Sequence, residues 1–184
     1  MCIRDRNLSY GQKTVPRLRF DKADLIVTID SDPLGTYLNP TDHTVGFAAG
    51  RKRLTGGMNR LIAFESVLSL TGTNADERHV ITPALQAPLV LALVHEVAFV
   101  QGGSQDSSLK SITASHHLAM SSQFGEAIKS TAKELLQAKG KSLVVAGGPV
   151  TETKNSVAVQ VAVNLLNSIL GNDGSTVDLS LIHI

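Results

Sequence analysis

Hydrophobic positions fall into two alternating kinds of segment: short runs rich in β-branched residues, and longer stretches with apolar positions three or four apart. Residues 24–30 (DLIVTID) form a compact run that ends at a polar loop, the pattern of a buried parallel strand. The loop SDPLGTYLNP follows, with Pro33, Gly35 and Pro40 as breakers. Residues 44–54 have helical composition and a basic end (Arg51, Lys52, Arg53), stopped by Gly56 and Gly57. A second strand is predicted over 60–65 (RLIAFE), then the polar loop SLTGTNADER and a short strand over 79–81. Thr82 and Pro83 read as N-cap and first position of a helix whose body is 89–99, with Pro88 early enough to delay it by a turn.

Residues 101–113 (QGGSQDSSLKSIT) read as an exposed loop. A long helical pattern over 115–139 is interrupted by Gly125, carries one buried stripe (Phe124, Ile128, Leu135, Leu136) and ends at Gly140. A third strand is predicted over 142–146 (SLVVA), followed by Gly147, Gly148 and Pro149. Thr151 or Thr153 then caps a final helix with Val157, Val161, Leu165 and Ile169 at helical spacing and Gly171 as its stop. Alternating strands and helices predict an α/β fold: a Rossmann-like, doubly wound, mainly parallel sheet flanked by helices. In such sheets ligands sit beyond the C-terminal ends of the strands, which directs attention to loops 30–40, 65–77 and 147–153.

The two ends change what composition can say. Residues 1–6 (MCIRDR) can be encoded by ATG TGT ATA AGA GAC AG, whose opposite strand reads CTG TCT CTT ATA CAC AT and translates as LSLIHI, residues 179–184. The ends are therefore expected to be one short DNA element in opposite orientations, resembling a transposase adapter, around an internal fragment spanning 7–178. Setting them aside removes Cys2, the only cysteine, and with it any disulfide or thiolate ligand. Basic residues fall from 17 to 15 and acidic ones from 16 to 15, so the net charge goes from +1 to 0. That balance, with aromatics at 4%, offers neither the basic face nor the stacking platforms of a nucleic-acid binder. The longest apolar run, 89–100, carries His95 and Glu96 and is short for a bilayer, so no direct membrane span is expected.

Several residues invite a chemical reading beside a plainer one. Asp30 and Asp32 suit a metal-binding or acid/base pair, or two carboxylates capping a turn before Pro33. Glu65, at a strand end, suits a ribose hydroxyl or an internal hydrogen bond. Asn74, Asp76 and Arg78 suit a polar site or a network that positions the next strand. His95 lies in an apolar helix and reads as packed; His79 is isolated; adjacent His116 and His117 diverge by about 100° on a helix and chelate poorly. Gly147 and Gly148 are a weak phosphate-loop signal. With no Ser-His-Asp signature, Walker loop or metal-spaced cluster, neither catalytic nor metal-ligating residues are assigned.

The stretches ADLIVTIDSDPLGTYLNP, MNRLIAFESVLSLTGTNADER, KSLVVAGG and LLNSILGNDGSTV, in that order over most of 20–178, resemble the molybdopterin oxidoreductase superfamily. The nearest resemblance is to the molybdopterin-oxidoreductase-like iron–sulfur subunit of alternative complex III, a bacterial quinol-oxidising membrane complex. In cofactor-binding members, a Gly-x-Asn-type loop, an Asp-Pro-Arg-type loop and a Pro-Gly-Thr-Asp-type turn help hold a guanine dinucleotide. Asp30-Ser31-Asp32, Glu65-Ser66-Val67 and Pro83-Ala84-Leu85-Gln86 stand in those places here. Carboxylates about 6 Å from a pyrophosphate cost about 3 kcal/mol per charge pair at an effective dielectric of about 20.

The resemblance thus implies a molybdopterin-like domain that keeps the fold and holds no molybdenum cofactor, with iron–sulfur clusters elsewhere in the parent. Expected partners are the rest of that chain and other subunits of a membrane-bound respiratory complex, on the periplasmic side of the bacterial inner membrane. The alternative is an active, polysulfide-reductase-like enzyme binding molybdopterin guanine dinucleotide through Asp30, Ser31, Asp32, Glu65, Ser66, Asn74, Asp76, Gln86, Gly147 and Gly148. An ordinary nucleotide-binding α/β domain is a third reading, weakened by the lack of a GxGxxG motif.

Overall fold

The computed structural model describes residues 3–11, 15–52, 57–148 and 152–182. Its core is a parallel sheet built from β2 (Leu25–Ile29), β3 (Arg60–Glu65), β4 (Glu77–Val80) and β5 (Ser142–Ala146), in the order β4-β3-β2-β5. Leu25 aligns with Arg60 on one side and with Ser142 on the other. All five residues of β2 and of β5 are buried, because helices or loops cover both faces of the sheet. Leu25, Val27, Ile29, Phe64 and Val144 face one layer, formed by α4 (Gln86–His95), α5 (Ser107–Gln137) and α6 (Ser156–Ile169). Ile26, Leu61, Leu143 and Val145 face the other, with Phe47 of α2 (Pro40–Arg51), Phe20, Leu34 and Tyr37.

The chain runs β2–α2–β3–α3 (Leu70–Thr73)–β4 in one direction. It then crosses back through α4 and α5 to place β5 on the far side of β2. The direction of winding therefore reverses between β2 and β5. Outside the sheet, α1 (Ile3–Tyr10) lies on α6, and β1 (Val15–Leu18) pairs antiparallel with β6 (Val177–Ile182). Parts of the two end segments fall within α1 and β6; residues 1–2 and 183–184 lie outside the described residues.

The fold is the doubly wound α/β arrangement expected, with local differences. Helix α2 starts at Pro40, earlier than the predicted residue 44, because Asn39 caps it and Pro40 supplies the first turn. Arg53, Leu54, Gly56, Pro149 and Thr151 lie outside the described residues. The short strand expected over 79–81 is β4, Glu77–Val80; as an edge strand it alternates half-buried and exposed residues and reads as polar. Helix α5 starts at Ser107, inside the predicted loop, since Asp106 Oδ1 accepts the Leu109 amide at 3.0 Å. It runs through Gly125 without a break.

The face of α6 is the largest departure. The predicted stripe is not its buried one: Leu165 is 37% exposed, while Val159, Val163, Leu166 and Leu170 are buried. Gln160 and Asn167 are buried beside them because they serve β5, an edge strand. Asn167 accepts the Val144 amide at 3.1 Å and donates to the Val144 carbonyl at 2.9 Å; Gln160 donates to the Ala146 carbonyl. Thr176 donates to the Ser142 carbonyl, and Asn172 donates to Ser142 Oγ at 3.0 Å and Asn167 Oδ1 at 2.9 Å. The Asn167 and Gln160 amides and the Thr176 hydroxyl satisfy backbone groups that a further strand would otherwise take, and Asn172 braces Asn167.

The helical segment Pro83–Val100 comprises a 3₁₀ turn, α4 and a π-helical turn. At 18 residues and mean hydropathy 1.6 it is long and apolar enough to cross a membrane by length and composition, longer than the run of 89–100 suggested. Leu89, Val90, Ala92, Leu93 and Val94 are fully buried between sheet and helices, so core packing accounts for its composition.

Candidate functional site

The reversal of winding puts the ends of β2 and β5 beside a crevice, and three carboxylates from β2 and β3 occupy its floor. Directly after β2, Asp30 has φ 49°, the single left-handed non-glycine residue among those described. Hydrogen bonds with β3, with the loop that follows it and with α4 hold it there. Its amide donates to Phe64 O at 2.6 Å, Oδ1 accepts Ser66 N at 2.9 Å and Ser66 Oγ at 2.7 Å, and Oδ2 accepts Gln86 Nε2 at 2.7 Å. Asp32 Oδ1 accepts Thr71 N at 3.0 Å and Thr71 Oγ1 at 2.6 Å, tying the β2 loop to α3. At the end of β3, Glu65 Oε2 accepts Ser69 Oγ at 2.6 Å and Ser69 N at 3.4 Å, and Oε1 accepts Arg78 Nε at 2.5 Å.

Two glycines make this close fit possible. A Cβ on Gly35 would lie 2.1 Å from Asp32 Oδ2, and one on Gly72 would lie 1.7 Å from Glu65 Oε1. Gly147, at φ 66°, donates its amide to Ile29 O at 2.9 Å and turns the chain out of β5 over Gln160. Between these loops lies a cavity of about 190 Å³, with Asp30, Ser31, Asp32 and Glu65 on one side and Thr36, Val67, Ser69 and Gly148 around the rest. Ser31 is 4% exposed, and its hydroxyl has no hydrogen-bond partner among the described residues.

Of the residues singled out from sequence, Asp30, Ser31, Asp32, Glu65 and Gly148 meet at this cavity. Ser66 and Gln86 stand behind it as partners of Asp30, and Gly147 turns the backbone beside it. Asn74 and Asp76 do not join them. Asn74 is the C-cap of α3, its side chain donating to Leu70 O at 2.8 Å. Asp76 precedes β4 at the opposite end of the sheet, where it accepts the Leu61 amide at 2.7 Å and pairs with Arg51 at 2.8 Å. Burial raises the Asp76 pKa, but the hydrogen bonds from Arg51 and Leu61 outweigh it and leave the carboxyl below its ordinary value. Ser69 and Thr71 were not read from the sequence; Ser69 is the N-cap of α3, accepting the Gly72 amide at 3.0 Å, and a Ser before a Thr-Gly-Thr turn is a signal for such a cap.

The histidines stand away from the crevice or behind it. His43 is buried, Nδ1 bonding Pro33 O at 3.1 Å, so it pins the β2 loop onto α2. A carbonyl only accepts, so Nδ1 carries the proton; burial holds the pKa of the ring below its ordinary value. His95 Nδ1 meets Thr113 Oγ1 at 2.9 Å, and its ring packs 4.7 Å from that of His117. His117 Nε2 lies 2.7 Å from Oε2 of the buried Glu96, in the π-helical turn. His79 stacks on Phe64 at 4.7 Å. No group of three His, Cys, Asp or Glu among the described residues is placed to hold a metal ion.

No known protein family matches the chain. No curated protein matches it either. Among solved structures, acetylene hydratase from Pelobacter acetylenicus, a molybdopterin-containing enzyme, is similar at a TM-score of 0.67 and 15% identity. The similarity covers 93% of this chain and 24% of that one, so the chain spans about a quarter of its neighbour's length. At that identity the likeness is one of fold.

Proposed function

We propose that this chain is a structural portion of a molybdopterin-oxidoreductase-like domain whose dinucleotide crevice has been closed by its own carboxylates. The observation that carries this reading is the filling of the anion seats. The amides of Ser66, Ser69 and Thr71 stand at the strand ends, where a phosphate would draw on backbone N–H groups, and they donate instead to Asp30, Glu65 and Asp32. The Arg78 guanidinium, which reaches these loops, is engaged with Glu65. A pyrophosphate would meet carboxylate rather than N–H, at about 3 kcal/mol per charge pair at about 6 Å and a dielectric of about 20. The cavity of about 190 Å³ is also below the roughly 300 Å³ at which small-molecule sites begin. These residues do not fit a molybdopterin guanine dinucleotide.

The sequence resemblance of 20–178 supplies the setting: a quinol-oxidising, electron-transferring iron–sulfur complex on the periplasmic side of a bacterial inner membrane. In it this portion supports assembly with the rest of its chain and with other subunits. The fold likeness to acetylene hydratase favours the second reading, part of an active molybdopterin enzyme. Molybdenum analysis and pterin extraction from the parent protein separate the two. Neither molybdenum nor pterin is expected, and stoichiometric molybdenum would overturn the first reading.

A further inference from the structure

Helix α5 is held to the body of the protein in two different ways. Its second half is held by apolar packing: Met120, Phe124, Ile128, Ala132 and Leu135 are buried in the core beside the sheet. Over residues 107–119 Thr113 alone is buried, and the apolar Ile112 and Leu118 are exposed. The ties of this first part are polar and lead to the end of α4. His95 Nδ1 lies 2.9 Å from Thr113 Oγ1, and His117 Nε2 lies 2.7 Å from Oε2 of the buried Glu96, whose Oε1 accepts Gln101 Nε2 at 3.1 Å. Glu96 opens the π-helical turn, an irregularity that often accompanies a working element. The His95 ring lies 4.7 Å from that of His117 and 5.3 Å from that of Phe99. The one proton of the Thr113 hydroxyl goes to Leu109 O at 2.9 Å, so Thr113 accepts from His95 Nδ1 and the unprotonated ring nitrogen is Nε2.

We propose that the His95–His117 pair is a proton-operated fastening, which releases residues 107–119 of α5 in mild acid while the second half of the helix stays packed. A proton taken up by His95 goes to Nε2. While α5 is docked the residue is only 8% exposed, so the new charge lacks water, and His117 and Lys110 both disfavour it. Glu96 favours it but is already engaged by His117 and Gln101. The other charged and titratable groups beside His117 are Arg78 and His79 of β4 and Glu126 and Lys129 of α5, along one groove, with His116 adjacent in the chain. The Glu126 side chain is almost fully solvated and supplies no buried countercharge. Lifting the first turns of α5 hydrates the His95 ring and parts it from His117. The docked form therefore binds this proton less readily than the released one. Docking is full above about pH 6.5, the ordinary histidine value, and weakens as pH falls below it, by at most about tenfold per pH unit for one site.

The test is amide hydrogen exchange of the full chain, read by NMR from about pH 7.5 to about pH 5 and corrected for intrinsic exchange rates. Protection of residues 110–119 is expected to fall at least about fivefold over that range. It should also be insensitive to sub-denaturing urea, as for a local opening that exposes little surface. His95→Phe keeps a ring beside Phe99 and His117 but cannot titrate, so the response to pH should vanish. His43→Asn, which alters the contact between α2 and the β2 loop, should leave that response as it was. The unsubstituted protein decides the matter even if His95→Phe does not fold. Its long-range proton–nitrogen spectra should show His95 protonated at Nδ1 near neutrality, with a titration midpoint below about pH 6.5. Protection of 110–119 should fall between about pH 6.5 and that midpoint and level off beneath it. Protection that does not change with pH, exchange that follows urea as the core does, or a His95 midpoint at or above the ordinary value overturns the proposal. So does a pH response that persists in His95→Phe or disappears in His43→Asn.

Discussion

Gly72→Ala puts the carboxylate clasp to its most direct test. In an exposed helix the change stabilises by about 1 kcal/mol, because glycine is the poorer helix former. Here the new Cβ would lie 1.7 Å from Oε1 and 2.3 Å from Cδ of Glu65, so the carboxylate must swing away. It is 3% exposed and gives up the bonds to Ser69 Oγ at 2.6 Å and Arg78 Nε at 2.5 Å. Hydrogen bonds to a charged group contribute about 1.5–3 kcal/mol each. Less the helix gain and some rehydration of the displaced carboxylate, the net loss is about 2–3 kcal/mol, a large part of the roughly 5–15 kcal/mol that holds a domain. Urea denaturation of four proteins measures it: the parent sequence, Gly72→Ala, Glu65→Ala, and the double variant. With Glu65 truncated the clash is gone, and Gly72→Ala should become neutral or stabilising, giving a coupling of about 3 kcal/mol. A penalty for Gly72→Ala that persists unchanged without Glu65 would falsify the claim that this glycine exists to admit the carboxylate.

Three further outcomes follow from other contacts. His43 and His95 both have depressed pKa values, from burial first and, at His95, from the neighbouring His117 as well. The unfolded chain therefore takes up protons at these sites before the folded one does. Stability should be full above about pH 6.5 and fall as pH drops below it, with a shallower slope in His43→Asn, as read by urea midpoints across that window. Asn167→Leu leaves the Val144 amide and carbonyl without partners and should cost about 2–4 kcal/mol, with sedimentation velocity showing new self-association along β5. Ser31→Ala, by contrast, should leave the melting temperature unchanged or raised, since it deletes a buried hydroxyl that has no partner among the described residues; a fall by several degrees in calorimetry contradicts that description.

The sequence shows the fold most clearly where burial is two-sided. β2, β3 and β5 are apolar on both faces, so their runs stand out and their bounds are nearly right. β4 is at an edge, and its Glu77 and Arg78 look like loop; the Ser-rich start of α5 looks like loop because its first turns are solvated. α6 misleads for a different reason. Its buried amides answer to the backbone of β5, and a hydrophobicity pattern has no means of marking them. At the crevice, topology alone pointed to Asp30, Asp32 and Glu65, whereas their partners Ser66, Ser69 and Thr71 are ordinary loop residues until the chain is folded. Asn74 and Asp76 were grouped with the crevice by nearness in sequence, although the few residues from α3 to β4 carry the chain to the other end of the sheet.

The amide-lined border of β5 also limits how copies of this sheet can join. Asn167, Gln160 and Thr176 occupy the outward groups of that strand, so two copies can meet strand to strand only along β4. Such a pairing is self-complementary and uses up the one open border of the four-stranded sheet in each copy. Joining through this sheet therefore terminates at two molecules, and a fibre built through it would require β5 to be stripped of its side-chain cover first.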